Sequence, residues 1–226
     1  MLTSGITPIV SNAITGTPGA PGQLPVNSQR IEKAVQLMQA GHIKHAMRLL
    51  KAVLHSNPNL QDQINAYYLL AMLYFASGKS RQTAELAEKY LAALEKNPTN
   101  RNLRQQADIQ FILAVSSSAL QLAAMSRGDI TATNQYMEEA YQHSHACLQL
   151  NPNQPECLAI LGDIYSQYGN ITADSADKKA DKTQWYTLAK DNLQRAFALN
   201  PTLAANPYYQ QSLATAQAYL SQPNQP

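Results

Sequence analysis

Four times along this chain a helix-forming stretch closes on an apolar residue and then Asn-Pro. The four phrases are Leu54-His55-Ser56-Asn57-Pro58, Leu94-Glu95-Lys96-Asn97-Pro98, Leu148-Gln149-Leu150-Asn151-Pro152 and Phe197-Ala198-Leu199-Asn200-Pro201. Proline lacks an amide hydrogen and pushes the residue before it out of helical geometry, so each phrase stops a helix. Asn tolerates the backbone angles of a helix end. From Ser28 onward apolar residues recur every three or four positions, the period of a helix with one apolar face. A chain punctuated in this way is predicted to be all-α and built from repeated units.

The spacing inside each unit sharpens that reading. Ala stands twelve residues before three of the four prolines, as Ala46, Ala140 and Ala189. Five residues before each proline stands a small or modest side chain, Val53, Ala93, Cys147 or Ala196. Small side chains at fixed helical spacing let a second helix approach closely. The first halves repeat as well: Tyr67, Leu70, Ala71, Tyr74 and Gly78 are matched in spacing by Leu158, Leu161, Gly162, Tyr165 and Gly169. A glycine after the last periodic residue is read as a helix stop, so each unit becomes helix, Gly turn, helix, Asn-Pro turn.

These residues resemble the tetratricopeptide repeat, a helical hairpin of about 34 residues. The fourth unit fits best, with Leu158, Leu161, Gly162, Tyr165, Gly169, Tyr186, Ala189, Leu193, Ala196 and Pro201. The second keeps Tyr67, Leu70, Ala71, Tyr74 and Gly78, the first Gly41, Ala46 and Pro58, the third Ala140 and Pro152. The resemblance implies a right-handed α-solenoid of four such hairpins over residues 28–201, in units of about 28–58, 62–98, 101–152 and 155–201. It also implies that one face of each unit's first helix lines a concave groove.

Successive Asn-Pro prolines lie 40, 54 and 49 residues apart, more than the family's repeat length. In the fourth unit the surplus falls at residues 170–184, expected to be a solvated loop or an extra turn before a helix resuming at Trp185. Long loops cost little extra closure entropy, about 0.6 kcal/mol per doubling, so the fold tolerates it. In the third unit the surplus reads as a long helix from Arg101 to Ser126 returning from Thr131 to Leu150. Residues 202–221 are expected to form a capping helix starting at Asn206-Pro207, with Tyr208, Tyr209, Leu213, Ala216 and Leu220 inward and Gln210, Gln211 and Gln217 in water. Residues 1–27 carry Gly, Pro and Thr, hold no charge and show no period, so they read as a flexible or extended N-terminal arm, and residues 222–226 as a tail.

Composition excludes several classes. Hydrophobic residues make up 45% of the chain, enough for a folded core. The formal net charge is +2 with no Lys/Arg block, which argues against nucleic acid as partner. There is no uninterrupted apolar run of about 18 residues, so no membrane span is expected. No basic region precedes the first apolar residues, and the expected compartment is cytoplasmic. No cofactor and no metal site are expected, because His42 with His45 and His143 with His145 lack further ligands at helical spacing. Cys147 and Cys157 flank one Asn-Pro turn and read as a reduced packed pair, with a disulfide as the alternative. No Gly-rich phosphate loop, GxSxG or HExxH occurs, and the carboxylates of adjacent Glu138 and Glu139 diverge, so the chain is not expected to be an enzyme.

What remains is binding. The groove stripe read from periodicity is Ile31, Val35 and Met38 in the first unit, Tyr68, Met72 and Phe75 in the second, Phe111 and Val115 in the third, and Ala159, Asp163 and Ser166 in the fourth. The second unit's first helix carries two adjacent apolar stripes, and a surplus stripe implies either extra internal burial or a partner. The cation clamp with which some members hold acidic chaperone tails is absent, since Ile31, Val35 and Leu69 occupy the matching places. The expected function is a non-catalytic adaptor, assembly factor or chaperone-like protein that takes an apolar segment or helix of another protein. Two alternatives stand beside it: closure of the groove by the chain's own arm at Leu24-Pro25-Val26, and a structural subunit or homo-oligomer docking through its convex face, long third hairpin or arm.

Overall fold

The computed structural model describes residues 25–96, 102–173, 175 and 178–222. The arm at residues 1–24, the Asn97-Pro98 stop, the expected helix start at Arg101, the insertion's Asp174 and Asp177 and the tail at residues 223–226 lie outside the described residues. All regular structure among the described residues is helical. The chain forms two compact units, Met1–Asn102 and Leu103–Pro226.

The first unit contains α1 (Val26–Gln39), α2 (Ile43–His55), α3 (Leu60–Ala76) and α4 (Ser80–Glu95). Helix α1 begins directly after Pro25, slightly ahead of the expected Ser28. Gly41 and Gly78 turn the chain between helices at φ of 77° and 68°, left-handed values that a glycine adopts without a Cβ penalty. Asn57 takes the same region at φ 51°, which asparagine tolerates better than most side chains. Asn59 then caps α3, accepting from the Asp62 amide at 2.8 Å. Helix α1 packs on α2 and α3, and α3 on α2 and α4. Ala46 and Val53 of α2, two of the predicted small positions, are fully buried, as is Leu50 between them. Helix α3 is buried almost all round. Leu70 and Ala71 are inside, and so are Tyr68 and Met72 from the second stripe. The surplus stripe is thus largely spent on internal burial.

The second unit contains α5 (Leu103–Ser126), α6 (Ile130–Leu150), α7 (Pro155–Ile171), α8 (Lys179–Leu199), a 3-10 turn (Pro201–Ala205) and α9 (Pro207–Ser221). Helices α5 and α6 are the long pair predicted for the third hairpin. Gly128 turns between them at φ 71°, and Asp129 caps α6 on the Ala132 amide. Helix α5 is long and apolar enough to cross a membrane by length and composition alone, although it holds no uninterrupted apolar run of 18 residues. Ser116, Ser117 and Gln121 interrupt the run without lowering the average much. In the fold this helix packs on α6 and α7, and those three polar residues are buried.

Three expectations need correction here. Gly169 does not stop a helix: α7 runs through it to Ile171. Its missing side chain serves close packing instead, since a Cβ there would lie 2.7 Å from the Tyr186 ring. Helix α8 starts at Lys179, well before Trp185, because Lys182 is already buried with its ammonium over the Tyr219 ring at 5.6 Å. The Asn-Pro stops hold as read at Asn151 and Asn200, which end their helices in extended geometry at φ −139° where Asn57 is left-handed. Finally, Tyr208 faces water at 57% exposure. Helix α9 otherwise caps as expected: Ala216 is buried, Tyr209, Leu213 and Leu220 are half-buried against α7 and α8, and the three glutamines are exposed.

Candidate functional site

The predicted groove residues fall into two groups. Ile31, Val35, Met38, Tyr68 and Met72 are buried in the first unit. Tyr68 packs its ring 6.0 Å from that of Tyr90. Phe75, near the end of α3, is half-buried. In the second unit Phe111 and Val115 are half-buried on α5 and pack against a cluster of Ala114, Ala140, Cys147, Cys157, Ile160 and Ile164. The half-buried members are those with surface left to offer.

The fourth stripe is occupied by the chain itself. Ala159 and Ser166 are buried, and α9 lies on their face of α7. The Ser212 hydroxyl donates to one oxygen of Asp163, and Gln167 donates to the other at 2.8 Å. Gln121 of α5 donates to the Gln167 amide oxygen at 2.8 Å. Burial pushes the Asp163 carboxyl above its ordinary value, while the Ser212 and Gln167 donors pull it back. This network ties α5, α7 and α9 together. Sequence reasoning missed Gln121, Gln167 and Ser212. The available signal was Gln167 four residues after Asp163, a pair that shares one helix face.

A second unpredicted cluster is aromatic. Tyr141 and His145 of α6 meet Tyr165 and Tyr168 of α7 and Trp185 of α8, with ring centroids 4.5–6.5 Å apart. His145 Nε2 lies 3.0 Å from the Tyr165 hydroxyl. Burial, with Tyr141 beside it, pushes the Tyr165 phenol up to about 12. The rings fill their own space, mostly edge to face, and act as packing between helices.

Among the described residues the titratable groups pack into the helix contacts rather than converge. Among the described residues no three His, Cys, Asp or Glu side chains converge to hold a metal ion. Cys147 and Cys157 are free thiols, buried, with sulfurs 2.7 Å apart. The hydrogen bond from Cys157 to Cys147, followed by burial, pushes the Cys157 thiol well up, so it is no nucleophile. Burial lowers both His143 and His145 below the usual 6.5, Glu139 partly offsetting this at His143. A histidine that protonates more readily unfolded than folded contributes stability above pH 6.5, and that stability is lost as pH falls below it. Between pH 7.5 and 5 thermal melts are therefore expected to show a larger loss of Tm on acidification for the wild type than for a variant with both histidines replaced by Gln, the raised Asp163 carboxyl acting with the opposite sign in both.

Paired helices with a glycine under a leucine and alanines at the crossing points define a tetratricopeptide-repeat protein. No family model matches the chain. It is 32% identical over 146 residues to the photosystem I assembly protein Ycf3 of Synechococcus sp. strain CC9605, covering 61% of this chain and 72% of that protein. The Ycf3 of Parasynechococcus marenigrum strain WH8102 matches at 32% over the same shares. The crystal structure of a thermophilic tetratricopeptide-repeat protein from Thermus thermophilus aligns with a TM-score of 0.47 and 20% identity, over 87% of this chain and 84% of that one. The chain belongs to the family of the photosystem I assembly protein Ycf3. That family is non-enzymatic, and the chain's role is one of protein interaction.

Proposed function

We propose that this chain is an assembly factor for photosystem I that holds an apolar segment or helix of a client subunit. Membership of the Ycf3 family carries the reading. The contact residues are Phe75 in the first unit and, separately, Phe111 and Val115 in the second, each half-buried. Ile31, Val35, Met38, Tyr68 and Met72 are buried inside the first unit and have no surface to offer a client. Aromatic and branched side chains supply apolar area at low entropic cost, which suits capture of a greasy segment before it finds its final partner.

The test is affinity capture with the full chain in an extract of a cyanobacterial strain lacking its own Ycf3. The wild-type chain is expected to enrich photosystem I subunits. Phe75→Asp is expected to reduce that enrichment by about tenfold or more, as at an interface anchor, with helicity and Tm nearly unchanged. Enrichment that survives the substitution removes Phe75 from the site, and no enrichment by the wild-type chain removes the assembly reading.

A further inference from the structure

The two units differ in charge. Residues 1–102 carry ten Lys or Arg against five Asp or Glu, whereas residues 103–226 carry seven against ten. Within the first unit the positive charge is concentrated on α2. That helix carries Lys44, Arg48 and Lys51 and no carboxylate. All three cations are exposed, as are His45 and His55 on the same helix. None of the three makes an ion pair among the described residues. Lys51 instead lies 5.5 Å over the Tyr74 ring, and Lys79 lies 5.7 Å over the same ring, so the row continues from α2 onto the turn before α4.

Taken alone, this arrangement works against the helix. Lys44 and Arg48, four apart, repel on one face. Lys44 sits in the first turn, where the helix dipole disfavours a cation, and His42 gives no side-chain cap. A face that is solvated and nothing more mixes both signs, as α4 does with Arg81, Glu85, Glu88 and Lys89. Placement at i, i+4 and i+7 aligns the three cations over about 10 Å of helix. A second helix with carboxylates at the same intervals matches them charge for charge.

We propose that the exposed face of α2, with Lys44, Arg48, Lys51 and the neighbouring Lys79, is a docking surface for an acidic helical segment of a partner protein. It is separate from the apolar residues discussed above and does not depend on them. Binding at such a rim is carried by charge, so it weakens as salt screens it.

The experiment uses the full chain and a synthetic Ala-rich helical peptide with Glu at i, i+4 and i+7, followed by fluorescence anisotropy. A Gln-for-Glu peptide serves as control, with phosphatidylglycerol vesicles and a DNA duplex as competitors. Expected is binding of the Glu peptide but not the Gln peptide. Affinity should fall about tenfold or more in the Lys44→Glu/Arg48→Glu/Lys51→Glu variant and with salt raised from roughly 50 to 500 mM. A milder Lys44→Gln/Arg48→Gln/Lys51→Gln variant, checked for unchanged helicity, gives the same sign if the reversed variant misfolds. Equal binding of both peptides overturns the proposal. So does binding of vesicles or duplex without the Glu peptide, which transfers the face to lipid or nucleic acid. Salt-sensitive self-association that the reversed variant abolishes, without peptide binding, transfers it to a second copy and overturns it too.

Discussion

Tyr68→Ala is expected to lower the unfolding free energy by about 3–5 kcal/mol, the usual loss when a large ring is removed from a core. Tyr68 is 1% exposed and lies against Tyr90, itself fully buried. Helix α3 packs against every other helix of the first unit, so a cavity there cannot be relieved by movement toward solvent. The melting temperature of the first unit should drop on the order of 10 °C or more. Chemical denaturation with far-ultraviolet circular dichroism measures this directly. A variant that melts like the wild type while losing client capture would show that Tyr68 faces a partner, and the packing account of α3 would be wrong.

The second large effect concerns Gly162. A Cβ at that position would lie 2.6 Å from Leu193 Cγ and 3.1 Å from the Ala189 carbonyl oxygen. Leu193 is fully buried against Leu158, Ala159 and Ala196, so it has no room to swing away. Gly162→Ala gains about 1 kcal/mol of helix propensity and loses about 1–3 kcal/mol to overpacking. Leu193→Ala alone costs about 2–5 kcal/mol through the cavity it leaves. Together the two changes relieve each other. In the Leu193→Ala background Gly162→Ala is expected to be neutral or stabilising, with a coupling of about 1–3 kcal/mol in a double-mutant cycle. Additive costs would mean that α7 and α8 do not meet at this glycine.

Much of this architecture could be read from residues that punctuate or pack. The Asn-Pro stops, Gly41, Gly78 and the alanines at crossing points each impose a local geometry that few other side chains allow, and the helices follow them. Gly169 was misread because a helix-stopping glycine and a close-approach glycine look identical until the Tyr186 ring is placed above it. The start of α8 was misplaced because charged residues suggested a loop, while the tertiary contact of Lys182 with Tyr219 extended the helix backward. The proposed contact residues were harder still. Periodicity identified two apolar stripes on α3, but which of them meets a neighbouring helix depends on packing that a single helix does not encode. Burial then separates Tyr68 and Met72 from Phe75. The Asp163 network was invisible for the same reason, since Ser212 reaches it from forty-nine residues away.

Site-specific photo-crosslinking reaches the central claim most directly. A benzophenone amino acid placed at Phe75 or at Phe111, in cells assembling photosystem I, reports what touches those positions. Adducts with a photosystem I subunit from both positions, and none from exposed Ile130, are what a chain that works by holding its client predicts. Adducts from Ile130 alone, or none with any photosystem I subunit, would contradict it.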